Sequence, residues 1–346
     1  MIKIKTSLAL IAFLITASGA HAKIWRLNNN VGVAADFINF NVTVSSVLVK
    51  DGDTIYIEPS SLSYGSASLN KRLTVVGVGY LLDPAAGGNE GLQARILTSK
   101  LAGLSILNGA NNSKFFGIQF SGSTTINVSP TAYNLLFEKC FITGIYFAAG
   151  AHSGLAIRKC YGNSSFTVTG SSQAILSNCV LENCIIDALG NGLAFSNFSV
   201  AGGCIIRNNV IKGILQTKNA YVANNIFISA SDAVLTDCTV KNNLFSTAQA
   251  LPANATGNKL GQAEASVFIL TGSSDGKFRL KAGSPAIGAG VTIGSTTPDC
   301  GAYGGNDPYK LSGIPAIPSI YARTVPENVP SGSNSMNVIF STRNNN

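Results

Sequence analysis

Charge is what this chain has least of. Only 12% of its 346 residues are Asp, Glu, Lys or Arg, so neutral Ser, Thr, Asn and Gly must cover most of the surface. No Lys/Arg-rich run with interleaved aromatics occurs, which argues against nucleic acid as a partner. No stretch carries about eighteen uninterrupted apolar residues, so no membrane-spanning helix is expected and the chain does not read as an integral membrane protein. There is no Cys-x-x-Cys pair and, past residue 22, His152 is the only histidine. A Cys/His zinc site lacks its ligands, and no metal site is expected. Asn-Gly and Asp-Gly pairs flanked by strand-like residues are scarce, which argues against an antiparallel sandwich built from tight hairpins.

The amino terminus is processed material by composition. Lys3 and Lys5 precede the apolar run "LALIAFLITA", and Ala20 and Ala22 place small residues three and one positions before a cut at Lys23. This pattern is that of a secretory signal peptide over residues 1–22. Its loss removes two lysines, so 24 basic residues become 22 against 16 acidic ones, a net charge of +6. The expectation is a secreted, periplasmic or outer-surface protein. Seven cysteines are an odd number, so at least one is unpaired in a monomer.

An internal repeat sets the architecture. An apolar residue, any residue, Lys or Asn, Cys or Asn, and then apolar residues recur six times, led by Phe137, Ile157, Leu176, Ile206, Val222 and Val240. The intervals are 20, 19, 30, 16 and 18 residues, and the long one holds an off-phase copy, "LENC", at 181–184. Such periods are too short for a helix–turn–helix unit, and the segments between are rich in Val, Ile, Phe, Thr and Gly. They fit all-β coils of a right-handed parallel β-helix, roughly nine to eleven in number. The fourth position reads as an inward column, with thiols at Cys140, Cys160 and Cys179 followed by amides at Asn209, Asn225 and Asn243. Asn tolerates the left-handed turn that such coils need, and stacked amides satisfy one another. Cys fills the same column as a small buried residue. Cys184 with Cys204, flanking the long interval, is the pair read for a disulfide.

The ends read as caps. Phe37, Phe40, Val44, Val47 and Leu48 fall at helical spacing behind Asp36, giving a helical N-terminal cap, with a strand as the alternative. The organisation expected is a leader over 1–22, a cap over 23–53, the β-helix over 54–300, and a C-terminal closing segment and tail over 301–346.

"KIWRLNNN…ADF", "GDTIYIEPSSLSYG" and "LNKRLTVVGVGYLLDP" resemble the opening coils of secreted right-handed β-helix proteins of the Bacteroidetes type. "DGKFRLKAGSPAIGAG" and "DCGAYGGNDPYKLSGIPAIPSIY" resemble their closing segment. These belong by fold with the pectin-lyase-like superfamily, and the resemblance covers nearly the whole chain after the leader. It implies an exported β-helix of a Gram-negative bacterium, capped at both ends. Where such proteins often carry Asp in "SPAIDAG", this chain has Gly288, so any role of that carboxylate is absent.

A lyase or hydrolase is the enzymatic alternative that this fold suggests, and its chemistry is not recognisable. A lyase needs a basic residue beside a uronate and a Ca²⁺ or Arg/Asn partner for the carboxylate. A hydrolase needs carboxylates at a defined separation. The repeats offer only Glu138, Glu182, Asp187, Asp232 and Asp237, with no Asp-Asp pair. No catalytic residue is therefore assigned and no cofactor expected, calcium entering only with the enzyme alternative. His152, in "AAGAHSG", reads as a surface residue. Arg158, Arg207 and Lys241 fall in one column and Lys139 and Lys159 in the next, which marks either an anion-binding face or solvated gatekeepers. "DTI" at 53–55 also matches a bacterial O-glycosylation acceptor pattern, and equally an ordinary strand start. The leading expectation is a non-catalytic surface or secreted protein. It would display a long sheet face to an acidic or neutral polysaccharide or to a surface protein.

Overall fold

A computed structural model describes residues 22–345 apart from 122–125, 131, 164–166, 189–195 and 230. The leader assigned to 1–22 lies outside these residues except for Ala22. The chain forms a parallel solenoid. Its longest sheet has ten strands, from Ile24–Leu27 through Thr54–Ile57 and Thr74–Val76 to Ala220–Ala223 and Thr239–Lys241. Each strand between these ends pairs, in parallel, with the coil before and the coil after. A second sheet includes Ser66–Leu69, Gly103–Ile106, Ile126–Val128, Gly144–Phe147 and Thr167–Ser177. A third runs from Tyr161–Gly162 through Ile185–Asp187, Val210–Lys212 and Ile226–Ile228 to Leu244–Phe245.

The strands are short because left-handed residues bracket them. On the downstream side Lys139, Lys159, Asn183, Asn208, Asn224 and Asn242 hold φ between 50° and 56°. On the upstream side Asn112, Asn134, Gly154, Asn178, Gly203, Asn219 and Asp237 also have positive φ. Asn and Gly enter this region at least cost, and a lysine there costs about 1–2 kcal/mol. Between the turns one apolar residue per coil points inward. Phe115, Phe137, Ile157, Leu181, Ile206, Val222 and Val240 form a column that is at most 1% exposed. The rings of Phe115 and Phe137 stack at 4.7 Å, as do those of Phe227 and Phe245.

The Asn-Asn pair therefore has two separate tasks. Its first residue makes the left-handed turn, and its second points inward. Asn209, Asn225 and Asn243 each accept the backbone N–H of the previous coil's equivalent residue on Oδ1, at 2.8–3.0 Å. Their Nδ2 groups donate to Leu181, Ile206 and Val222 carbonyls at 2.9–3.0 Å. Asn258 adds a further rung.

The structure corrects the register of this column. Ile157 pairs with Leu181, and Leu181 with Ile206, so the intervals there are 24 and 25 residues rather than 19 and 30. The "LENC" copy is in phase, and Cys184 rather than Cys179 follows Cys160. The thiols also have polar partners. Cys160 and Cys184 accept the N–H of Cys140 and Cys160 at 3.4 Å. Cys140, Cys160 and Cys184 in turn lie 3.4–3.5 Å from the Phe115, Phe137 and Ile157 carbonyls. One sulfur thus stands in for both ends of an amide. Cys179 belongs instead to the upstream turn, in register with Leu155, Cys204, Ala220 and Cys238.

Ile24–Leu27, assigned to the cap, is already the first strand of the long sheet. The helix expected near 34–50 is confined to Phe40–Ser45, with Asn39 rather than Asp36 accepting the Val42 N–H. Asp36 accepts the Arg26 N–H instead. Phe40 and Val44 are buried, whereas Val47 and Leu48 are exposed beyond the helix end. The open edge of the first strand is partly covered by Phe37, which exchanges backbone bonds with Arg26 and Asn28.

The coils end near Lys259, whose bridge to Leu244 is the last along the third sheet, not at residue 300. The following segment runs back along the outside of that sheet. Phe141, Tyr161, Ile185, Val210, Ile226 and Leu244 pack there against Val267, Phe268, Phe278, Cys300, Ala302 and Tyr309. Asp275, fully buried, accepts from Asn89 Nδ2, Ser273 Oγ, Tyr309 OH and Ser312 N at 2.8–3.0 Å, and so ties this segment to the early coils. The tail pairs with itself, Ser319–Thr324 running antiparallel to Ile339–Arg343.

Replacing Asn225 with Ala strands a buried N–H and breaks two rungs, and is expected to cost about 3 kcal/mol in urea unfolding. Asn178→Gly keeps the positive φ and is expected to shift stability by less than about 0.5 kcal/mol.

Candidate functional site

Of the basic residues singled out from the repeat, Arg158, Arg207 and Lys241 lie on the outer face of the long sheet, in an order the corrected register changes. The outward column reads Glu138, Arg158, Glu182, Arg207, Ala223, Lys241. Arg158 and Arg207 are not neighbours of like charge, because Glu182 stands between them. Its Oε1 accepts from Arg207 Nε at 2.7 Å, and Oε2 lies 3.6 Å from Arg158 Nε. The two arginine side chains remain 44–45% exposed, while Glu182 is 19% exposed. Lys241 is separated from them by Ala223.

Lys139 and Lys159 occupy the left-handed column beside this one. Lys159 Nζ meets Glu138 Oε1 at 3.1 Å and also pairs with Asp307. Burial alone would lower its pKa, but the two carboxylates outweigh it and hold the ammonium above its ordinary value. Lys139 is pushed below the ordinary lysine value, first by burial, with Glu138 opposing and Lys159 adding to it. Its residue is buried.

The sequence did not signal what flanks this column. The C-terminal segment lies along the left-handed residues as a strap, meeting nearly one per coil. Asn242 Nδ2 donates to the Ala289 and Gly290 carbonyls at 2.9 and 3.2 Å. Asn224 Oδ1 accepts from Val291 N at 2.8 Å. Asn183 Nδ2 donates to the Ala302 and Gly304 carbonyls at 2.9 and 2.8 Å. At Gly305 a Cβ would stand 2.8 Å from Asn208 Nδ2, which is why the strap passes that coil without a side chain. Lys159 holds Asp307, and a Cβ at Gly313 would lie 2.6 Å from the Lys139 carbonyl.

Between strap and sheet face lies a groove of about 500 Å³. Arg158, Glu182, Arg207 and Tyr221 line its sheet side, and Thr296 and Asp307 its strap side. Two half-exposed guanidiniums, two carboxylates and a phenol thus face one cleft. Among the described residues no group of three or more His, Cys, Asp or Glu side chains is placed to hold a metal ion.

The remaining candidates lie elsewhere. Cys184 and Cys204, read as a disulfide pair, belong to different turns, one downstream and one upstream of the strand, and all seven cysteines are free and buried. Cys204 instead neighbours Cys179, and a thiol hydrogen bond from Cys179 lowers its pKa against the opposing effect of burial. Asp53 of the "DTI" triplet is buried, and Thr54 pairs in the sheet with Ile24 and Thr74.

His152 is not a surface residue. It is 3% exposed, its ring meets Phe147 edge-on at 4.9 Å, and Nε2 lies 2.8 Å from the Ala148 carbonyl, while Nδ1 has no partner. The apolar strand packing around "GAHS" was hidden by its small, turn-like neighbours. Burial lowers its pKa, the Ala148 bond partly opposing. The imidazole is therefore neutral in the fold, and its contribution is complete above the unfolded value of about 6.5 and lost as pH falls through the lower folded value. Urea midpoints of the wild type are expected to fall more than those of His152→Leu between pH about 7.5 and about 5.5. Neither the family models nor the curated proteins compared with this chain include a match to it.

Proposed function

We propose that the chain is an exported right-handed β-helix, closed at its N-terminal end by the Phe40–Ser45 helix, which binds a polysaccharide without cleaving it. The observation that carries this reading is the Arg158–Glu182–Arg207 ladder on the floor of the groove, with Tyr221 beside it. Guanidinium forks and a carboxylate suit the hydroxyls and carboxylates of sugar chains, and a phenol offers a stacking face. A polymer lying along the solenoid axis meets a new rung about every 4.8 Å, so an extended chain finds repeated polar contacts.

Binding is favoured over cleavage because no lysine or histidine among the described residues lines the groove and both of its arginines meet Glu182. Glu182 engages both arginines, Lys159 is held cationic by Glu138 and Asp307, and Lys139 is buried and lies outside the groove lining. A lyase needs a basic group open to the sugar.

Titration calorimetry against pectate, alginate and neutral glucans tests this. Arg158→Ala/Arg207→Ala is expected to weaken the binding found by about tenfold or more, with circular dichroism unchanged. No unsaturated uronide is expected to be released. Unchanged binding in the double variant, or release of uronide, removes the reading.

A further inference from the structure

The first coil turns around a buried carboxylate held by neutral donors, with the Lys23 side chain as its nearby positive charge. Asp53 is 4% exposed. Its Oδ1 accepts the Lys23 backbone N–H at 2.8 Å, and Oδ2 accepts Trp25 Nε1 at 2.7 Å and the Lys50 N–H at 2.9 Å. Burial alone would raise this acid, but the bonds from Lys50, Lys23 and Trp25, with a smaller attraction from the Lys23 charge, outweigh it and keep the carboxyl below its ordinary value. It is thus ionised at neutral pH. Among the described residues no ion pair reaches it. The Lys23 side-chain ammonium lies instead over the Trp25 ring, 3.4 Å from its centroid. Asp53 is thus, like Asp275, a buried carboxylate held by neutral hydrogen-bond donors, whereas buried charges are usually paired.

The nitrogen nearest Asp53 belongs to the residue that follows Ala20-His21-Ala22. We propose that removal of the leader after Ala22 converts the Lys23 N–H into an α-ammonium that pairs with Asp53, so that processing gives this carboxylate a paired charge. This rests on the export reading above. In the cleavage a peptidase adds water across the Ala22–Lys23 amide. The oxygen leaves with the Ala22 carboxylate, and the Lys23 nitrogen departs as an amine that takes up a proton.

The geometry is already in place for the product. The Lys23 carbonyl accepts the Thr54 N–H at 2.8 Å, and Ile24 pairs with Thr54, so the residue is fixed as the start of the sheet. The new ammonium stays at the same nitrogen and gains two hydrogens. A charge-assisted bond of this kind is about twice as strong as a neutral one. Other charges nearby are Lys50, Asp51 and Arg72 at the 50–53 turn, where Asp51 accepts the Arg72 N–H. Asp36 and the Arg26–Glu58 pair stand further along the strand. All are common to the cleaved and extended chains and cancel in a comparison of the two.

An α-ammonium ordinarily titrates at about 7.7–8.0, and the carboxylate raises that value. The added stability is therefore complete below about 8 and is lost as pH rises through the raised value. Melting curves of a chain beginning at Lys23 and of one retaining His21-Ala22 test this, each also as Asp53→Asn. The Lys23 form is expected to melt a few degrees higher near neutral pH. That advantage is expected to vanish in Asp53→Asn and at pH well above the ammonium's titration. Equal melting at neutral pH, or an advantage that survives Asp53→Asn, overturns the pairing. Should Asp53→Asn not fold, reductive ¹³C-methylation of the Lys23 form reads the α-amine titration directly, and a midpoint at about 8 overturns it equally. N-terminal sequencing of the exported protein tests the other premise separately: a start at a residue other than Lys23 defeats the processing reading even where the melting comparison succeeds.

Discussion

Every coil from Cys140 onward hangs on one repeated hydrogen bond. The backbone N–H just after the downstream turn is given to the side chain at the same place in the next coil. In the early coils a thiol receives it and in the later ones an amide. A left-handed residue must precede the inward side chain, or the chain would not turn toward the core at that point. This requirement explains why Asn recurs in pairs; of the two lysines that take the same turn, Lys159 is held by Glu138 and by Asp307 of the strap. The groove depends on the same bond, because the ladder fixes which outward residues stand on adjacent rungs.

Much of the solenoid was legible because its rule is local. Six leading apolar residues, short periods and Gly or Asn punctuation suffice to place strands and an inward column. The register slipped at "SNCVLENC" for a physical reason. Each strand is bracketed by two turns that make the same demand, a left-handed residue followed by an inward one. Asn178-Cys179 answers it upstream, and Asn183-Cys184 downstream. The two look identical in a sequence, and only pairing with neighbouring coils tells them apart. That slip also hid Glu182 between the arginines and made an alternating column look uniformly basic.

The site was less legible than the coils because half of it comes from a segment without a period. Residues 289–313 carry no alternation or helical spacing, and their contacts are single bonds to Asn183, Asn224 and Asn242 and glycine passages at Gly305 and Gly313. Such contacts follow from where a chain has been led, not from its own pattern. The buried state of His152 was masked in the same way, since small neighbours signal a turn whether or not another strand covers them.

The strap has a consequence for how the solenoid comes apart. Stacked repeats ordinarily interact only with their nearest neighbours, so they fray one unit at a time from either end. Here the strap binds coils from Asn242 back to Tyr80, whose N–H is bonded to the Ser312 carbonyl. These contacts join residues 47 positions apart at Asn242 and Ala289 and 232 apart at Tyr80 and Ser312, and raise the contact order above that of bare coils. Such a strap is expected to couple the coils it spans, so that they separate together rather than one at a time, at the cost of slower folding.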